Sequence, residues 1–258
     1  MTKQQQELEK FMEEGGRKFL PSLSVDCVIF GFHDGQLKVL LLKLRHVNKW
    51  CLPGGFVLKD EDVADAAVRV LHERADIDKV FLQQFRVFGS PGRSDAGIHR
   101  KMMKKDGLHP SSDHWIFQRF VTIGYYALVE FSEVNPLPDN FSDDCGWWDI
   151  DELPPLMMDH RDILECALES LRSHLNYHPI GYNLLPRVFT MPQLQRLYET
   201  ILGKKLDRRN FQRKMLAYGI LKKLRETKRG TAHKSPYQYS FDLVKYHKAL
   251  KDGLKGGW

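Results

Sequence analysis

The sequence predicts an α+β fold in two parts, and three observations carry that expectation. The first part opens on two apolar, β-rich runs joined by an Asp-Gly turn. A glycine-led loop and an amphipathic helix follow. The last third sets two well-capped helices before two short strands and is strongly basic.

Taken in order, residues 22–32 (SLSVDCVIFGF) alternate and favour strand, His33-Asp34-Gly35 reads as a turn, and residues 36–44 form a second apolar run. Asp-Gly between two such runs is a strong hairpin signal, because a tight hairpin turn needs residues that accept positive φ. Pro53-Gly54-Gly55 breaks the chain. Asp60 then offers an N-cap for a helix over 61–75, with carboxylates in the first turn favoured by the helix dipole. Val63, Ala67, Val70 and Leu71 share one face of it. Residues 80–89 and 116–131 read as further strands. Residues 145–150 form a short strand running into Asp151-Glu152-Leu153-Pro154, and a helix over 159–177 closes the first domain. Residues 96–114, rich in Lys, Gly, Ser and Pro, read as an inserted, mobile surface loop. Residues 1–21 are placed as a polar extension, 22–178 as the first domain and 179–258 as the second.

In the second domain, Phe189-Thr190-Met191-Pro192 opens a helix whose stripe is Leu194, Leu197, Tyr198 and Ile201 and which ends at Gly203. Asp207 caps the next helix, which turns Phe211, Met215 and Tyr218 inward and stops at Gly219. Residues 220–241 read as strand, turn, strand, with Lys228-Arg229-Gly230 starting the turn. Helix, turn, helix, β-hairpin is the pattern of a winged helix-turn-helix.

Composition narrows the function classes. At 258 residues, 42% hydrophobic and 28% charged, the chain is an ordinary globular protein. No apolar run approaches the roughly 20 residues of a membrane helix, and the polar N-terminus lacks a signal-peptide core. The four cysteines form no Cys-x-x-Cys pair, and the eleven histidines show no zinc spacing. Reduced thiols in a cytoplasmic protein are expected, without metal or cofactor.

Charge is unevenly spread. Residues 180–258 carry 18 Lys and Arg against 5 Asp and Glu, a balance of +13, and the rest of the chain carries 21 against 28, a balance of −7. A basic third on an acidic body points to a nucleic-acid partner for that third. At 100° per residue, Arg209 and Arg213 point away from the Phe211–Met215 stripe, with Asn210 and Gln212 at the sides. Those side chains pair with guanine, adenine and phosphate. The candidate DNA-binding set is Arg208, Arg209, Asn210, Gln212, Arg213 and Lys214, with Lys228 and Arg229 in the wing.

Residues 54–77 (GGFVLKDEDVADAAVRVLHERADI) resemble the Nudix box, G-x5-E-x7-R-E-U-x-E-E-x-G-U with U apolar. Gly55, Glu61, Arg69, Leu71, Glu73 and Ile77 fall on its positions. The box clusters carboxylates to hold Mg²⁺ against a diphosphate. Here Val70 and Arg74 stand where two metal-binding glutamates belong, and Asp76 replaces the last glycine. Glu73 is vestigial, and its spacing from Arg69 suits an i,i+4 ion pair. No catalytic residue and no metal site are therefore expected.

Together with the stretch from Ile180 to Glu199 (IGYNLLPRVFTMPQLQRLYE) and that from Leu206 to Lys214 (LDRRNFQRK), the box makes the chain resemble the Nudix-related transcriptional regulators over nearly all of residues 20–241. The resemblance implies a Nudix α/β/α sandwich with a mixed sheet, serving as a sensor, joined to the winged helix. It implies a small effector, a sugar or nucleotide sugar. Arabinose-responsive, Bacteroides-type regulators look nearest, and ADP-ribose-responsive regulators of NAD metabolism are relatives. It also implies a homodimer on an inverted-repeat operator in double-stranded DNA. An Arg-Asp pair after the strand at 80–89 and a basic residue before that at 120–128 match the family. Arg45, Arg93, Asp95 and Arg119 are the candidate effector contacts, arginine being suited to fork onto phosphate or sugar oxygens. The rival readings are a Nudix hydrolase acting on a nucleoside-diphosphate sugar and a general RNA-binding protein.

Overall fold

A computed structural model describes residues 3–77, 81–134, 136, 138, 141–227 and 237–254. The chain divides into two compact units. The first comprises Met1–Phe30, Val39–Ala127 and Val134–Ala167, the second Gly31–Lys38, Leu128–Glu133 and Leu168–Trp258. No helix among the described residues is long and apolar enough to cross a membrane.

Strands β1 (Phe19–His33) and β2 (Gln36–Leu44) form the expected hairpin. Its turn places Asp34 and Gly35 at φ 49° and 78°, the backbone that the Asp-Gly pair was read to need. Both faces of β1 are covered, since the run Val25, Cys27, Val28, Ile29 and Phe30 is buried throughout. Such a strand lies in the middle of a layered sheet. With β3 (Trp50–Cys51), β4 (Gly54–Leu58), β5 (Phe81–Phe88), β6 (Val121–Val129) and β7 (Ser142–Asp149), the sheet runs β3-β2-β1-β6-β5, with β4 paired to β1 and β7 to β2. The β1–β4 pairing is antiparallel and sets Asp26 opposite Gly54.

Helix α2 (Val63–Ala75) starts later than expected, because Asp62 and not Asp60 is the N-cap and accepts from the Ala64 amide at 2.8 Å. Glu61 stays outside the helix and accepts from the Leu58 amide at 3.1 Å. At the other end Asp76 is the C-cap, left-handed at φ 52°. The backbone that favours glycine at the end of the box is kept, and Asp tolerates it.

Two stretches depart from the sequence reading. Residues 96–114 are not a plain loop. They contain helix α3 (Ala96–Lys105), capped by Asp95, and a 3-10 turn (Trp115–Phe117) follows them. Residues 3–18 of the extension form helix α1 (Lys3–Lys18), and β1 begins directly after it. Met12 of α1, Met103 of α3 and Ile116 make one buried cluster, flanked by Phe11, Phe56, Leu108, Trp115 and Phe117. The Trp115 indole and the His114 ring both reach the Met12 carbonyl, at 3.2 and 3.0 Å. Strand β6 consequently begins at Val121, after this turn, and not at 116. The helix expected over 159–177 is α4 (His160–His174).

The second unit contains β8 (Phe189–Thr190), α5 (Met191–Leu202), α6 (Arg208–Ala217), β9 (Leu221–Thr227) and β10 (Tyr237–Phe241), with sheet order β8-β10-β9. Helix α5 starts on a Thr190–Gln193 capping box and ends at Gly203, φ 66°. Leu194, Leu197, Tyr198 and Ile201 are buried, as are Phe211 and Met215 of α6. Tyr218 is the C-cap of α6 and only half-buried, so it does not extend the apolar face as expected. A further helix, α7 (Leu243–Asp252), lies beyond the pattern read from the sequence, and its Tyr246 hydroxyl donates to the Pro179 carbonyl at 2.8 Å. Within the same unit the Thr200 hydroxyl donates to the Gly35 carbonyl at 3.0 Å.

Candidate functional site

In the first unit the surviving charges of the box bind one another. The Arg69 guanidinium donates through Nε and Nη2 to Glu61 at 2.7 and 2.8 Å, through Nη1 to Glu73 at 3.0 Å, and through Nη2 to the Phe56 carbonyl at 2.8 Å. The bond from Arg69 is the main reason that the Glu61 carboxyl is held below its ordinary range. Val70 has joined the core at 1% exposure. A Cβ on Gly55 would stand 2.6 Å from its Cγ2, so Gly55 is needed for packing. Among the described residues no group of three or more His, Cys, Asp or Glu is placed to hold a metal ion. The residues at the metal-binding positions of the box do not fit Mg²⁺: Val70 is apolar, Arg74 is cationic, and Glu73, like Glu61, is engaged by Arg69.

Beside the box lies a cavity of about 200 Å³. Helix α1 contributes Leu8, Phe11 and Met12 to its wall, and α3 contributes His99, Met102 and Met103. Phe56, Phe120, Phe141, Met157 and Met158 make the wall largely apolar, and Asp26, Arg45, Arg74, Arg93, Gln118 and Ser142 interrupt it. A mostly apolar hollow with a few polar groups is how small-molecule sites are built, although drug-sized sites run to about 300–1,000 Å³.

Of the expected effector contacts, Arg45 and Arg93 line the cavity. Arg93 is buried at 5% exposure. Its Nε and Nη2 reach Asp159 at 2.9 and 3.1 Å, Nη2 reaches Asp26 at 3.4 Å, and Nη1 donates to the Phe120 carbonyl at 3.2 Å. Its fork is occupied by Asp159, Asp26 and the Phe120 carbonyl. Arg45 lies 3.6 Å from Asp106 and 3.7 Å from Asp143. Asp95 is spent as the cap of α3, accepting from Gly97 and Ile98 at 2.9 and 3.3 Å. Arg119 is exposed and donates to the Gly89 carbonyl, away from the lining.

The sequence reading missed Asp26, Arg74, His99 and His160, which also line the cavity. Burial lowers both histidines below the ordinary imidazole range. The Nδ1 of His160 accepts from the Leu52 amide at 2.9 Å, which fixes the neutral ring. Only Arg74 carried a local signal, as a cation inside a carboxylate motif.

In the second unit Asp207 caps α6 by accepting from the Asn210 amide at 2.8 Å. Arg208, Arg209, Asn210 and Arg213 are exposed, and Gln212 and Lys214 are half-buried. Burial, with Lys204 nearby, lowers the Lys214 ammonium. Arg213 donates to the Asn210 side chain at 2.9 Å, which ties two members of the face together. Lys228 and Arg229 lie outside the described residues.

Comparison with known proteins bears on both units. The NUDIX domain model matches residues 20–165, and the NrtR DNA-binding winged helix domain model matches 181–241. The chain is 30% identical over 234 residues to the ADPR responsive transcriptional repressor NtrR of Acinetobacter baylyi, covering 88% of this chain and 84% of that protein. Among solved structures it is similar to Shewanella oneidensis NrtR complexed with a 27mer DNA, with TM-score 0.70 and 24% identity over 92% of this chain and 99% of that one. It is also similar to a MutT/nudix family protein from Enterococcus faecalis, with TM-score 0.63 and 21% identity over 91% and 93% of the two chains. A Nudix fold in front of an NrtR-type winged helix, matched along most of its length by such a regulator, places this chain in the family of Nudix-related transcriptional regulators.

Proposed function

We propose that the chain is an effector-responsive DNA-binding repressor whose Nudix part senses a small sugar or nucleotide sugar without hydrolysing it. The observation that carries this reading is the exposed face of α6, Arg208, Arg209, Asn210 and Arg213, on a unit that matches a DNA-binding winged helix. Arg209 and Arg213 contact bases, Arg208, Gln212 and Lys214 support them, and Lys228 and Arg229 of the wing contact phosphates. ADP-ribose is the first candidate effector, from the relative in Acinetobacter baylyi. L-Arabinose is the second, and would place the regulated genes in sugar utilisation.

A winged helix contacts few base pairs, so specificity calls for two copies. A two-fold homodimer reads an inverted repeat whose half-sites lie about one helical turn apart or a multiple of it. The effector and the operator weaken each other by the same factor, and a coupling of about 1–3 kcal/mol is enough for release. The test is operator affinity with and without ADP-ribose or L-arabinose, with the mass taken from light scattering. Operator affinity that neither compound changes removes the sensing part, and a monomer that binds its operator tightly removes the symmetry.

The hydrolase reading rests on the Nudix fold itself. It requires Mg²⁺-dependent cleavage of ADP-ribose at about 1 s⁻¹ or more, within the usual range of enzymes, abolished by Glu73→Gln.

A further inference from the structure

Helix α1 docks around Trp115. Among residues 6–18 only Met12 and Gly15 are buried. The Phe11 ring lies between 5.2 and 6.0 Å, centre to centre, from the rings of Phe19, Phe56, Trp115 and Phe141. The Met12 carbonyl takes the Trp115 indole and the His114 ring together. Gly15 lies flush on the Trp115 indole, where a Cβ would collide with the ring. The helix does little to hold itself. Glycines at 15 and 16 disfavour it, and 16 residues is close to the length at which a helix is marginal in water even when rich in alanine. The chain beyond it is fixed: the Lys18 carbonyl accepts from the Lys59 amide at 2.9 Å, and Phe19 pairs with Leu58. Leu8, Phe11 and Met12 meanwhile form one wall of the cavity.

We infer that α1 is a lid on the cavity, which leaves by local unfolding ahead of Lys18 while the sheet stays folded, and that solutes reach the cavity wall when it leaves. As a gate for an effector the lid rests on the sensing role proposed above; the movement itself rests on the packing of α1 alone. Segments with little buried surface open far more readily than a core. The sheet beside α1 is core, since Val25, Cys27, Val28, Ile29 and Phe30 of β1 are buried, so α1 can open by itself. With α1 in place the hollow, at about 200 Å³, is smaller than drug-sized sites, and moving that wall enlarges it. Any ligand that needs the open state binds more weakly in proportion to the fraction of chains that are open. The two glycines serve both states. They let Trp115 pack flush when the lid is shut, and they keep the helix easy to melt.

The experiment uses the full-length chain without ligand and follows the alkylation of its own cysteines by iodoacetamide, peptide by peptide. Cys51 lines the cavity and is 6% exposed, whereas Cys27 is fully buried in β1 and outside the lining. Cys51 therefore reports the lid and Cys27 the opening of the whole sheet. Phe11→Ala removes the ring that four others surround and should speed Cys51 labelling at least about tenfold, with Cys27 unchanged. Gly15→Ala is the sharper variant. It strengthens the helix in isolation, yet its methyl group meets the Trp115 indole, so it too should speed Cys51 labelling if docking on Trp115 keeps the lid shut. Unchanged Cys51 labelling in Phe11→Ala, slower or unchanged Cys51 labelling in Gly15→Ala, or a rise of Cys27 in step with Cys51 overturns the lid. No effector takes part, so each of those results leaves the sensing role standing. Operator affinity that no effector changes, beside a lid that opens as expected, removes sensing and leaves the lid.

Discussion

Helices α2 and α6 both begin on an aspartate cap and both carry arginines, yet they direct charge in opposite ways. In α2, Arg69 is held by Glu61 and Glu73, and five residues, Ala66, Ala67, Val70, Leu71 and Ala75, are buried. In α6 only Phe211 and Met215 are buried, and Arg208, Arg209 and Arg213 face solvent. A retained fold and a retained function leave different marks on a helix. Charges that satisfy one another, as Arg69, Glu61 and Glu73 do, serve as scaffold. A helix that leaves cations exposed on a well-packed base has a surface to offer a partner.

The largest effect is expected at Arg93, the buried cation of the first unit. Arg93→Ala leaves Asp26 and Asp159 without their buried partner and should cost about 3–5 kcal/mol of stability. Denaturant melts measure it, and a loss below about 1 kcal/mol would show that the inward charges are not structural.

Next come the outward charges. Arg209→Ala and Arg213→Ala should each weaken specific operator binding by about 1–3 kcal/mol. Stability should change by no more than about 0.5 kcal/mol, as for other surface substitutions. Gel shifts beside melts test both halves of that claim. Equal losses of affinity and stability would mean that α6 is scaffold as well.

An effect of similar size is expected at Arg69. Arg69→Gln removes the charge-assisted bonds to Glu61, at a cost of about 1.5–3 kcal/mol at neutral pH. The folded Glu61 carboxyl lies below its ordinary value, chiefly because of Arg69. The contribution of the pair is therefore complete above the ordinary glutamate value and is lost as pH falls through the lowered one. The gap in stability between wild type and variant should be constant near neutrality and close in acid. A gap that is flat into strong acid would assign the loss to packing.

The smallest effect is at Asp76. Because its backbone is already left-handed, Asp76→Gly should change stability by less than about 1 kcal/mol, and Asp76→Val should cost more. A large loss in the glycine variant would give the Asp76 side chain a role that the cap geometry does not require.

Legibility followed the range of the signal. The Asp34-Gly35 turn, the Asp207 cap and the Gly203 stop are settled by neighbours a few residues away, and the structure has each where the sequence put it. Helix α3 was hidden because its anchor is Met103 on Met12, a contact between residues far apart in the chain, while its own composition resembles a loop. Helix α1 was hidden by the same contact seen from the other end. At the cavity, Arg93 was legible because it sits in a family pattern, but its engagement by Asp159 and Asp26 was not. A lone acid such as Asp26 in an apolar strand gives no local sign that it borders a hollow. Asp95 shows the converse, a residue with a family precedent that the local backbone uses as a cap.

The Asp34–Gly35 turn has one more consequence. Strand β1 carries Asp26 and strand β2 carries Leu42 into the cavity wall, yet the turn that joins these strands is counted with the second unit, where Gly35 accepts from Thr200. A single break near residue 178 therefore separates residues of the second unit. Such a break leaves the Gly35 carbonyl on one fragment and its donor on the other. An isolated N-terminal fragment would report the chemistry of the cavity with one end of its hairpin altered, and its ligand affinity should be read beside that of the intact chain.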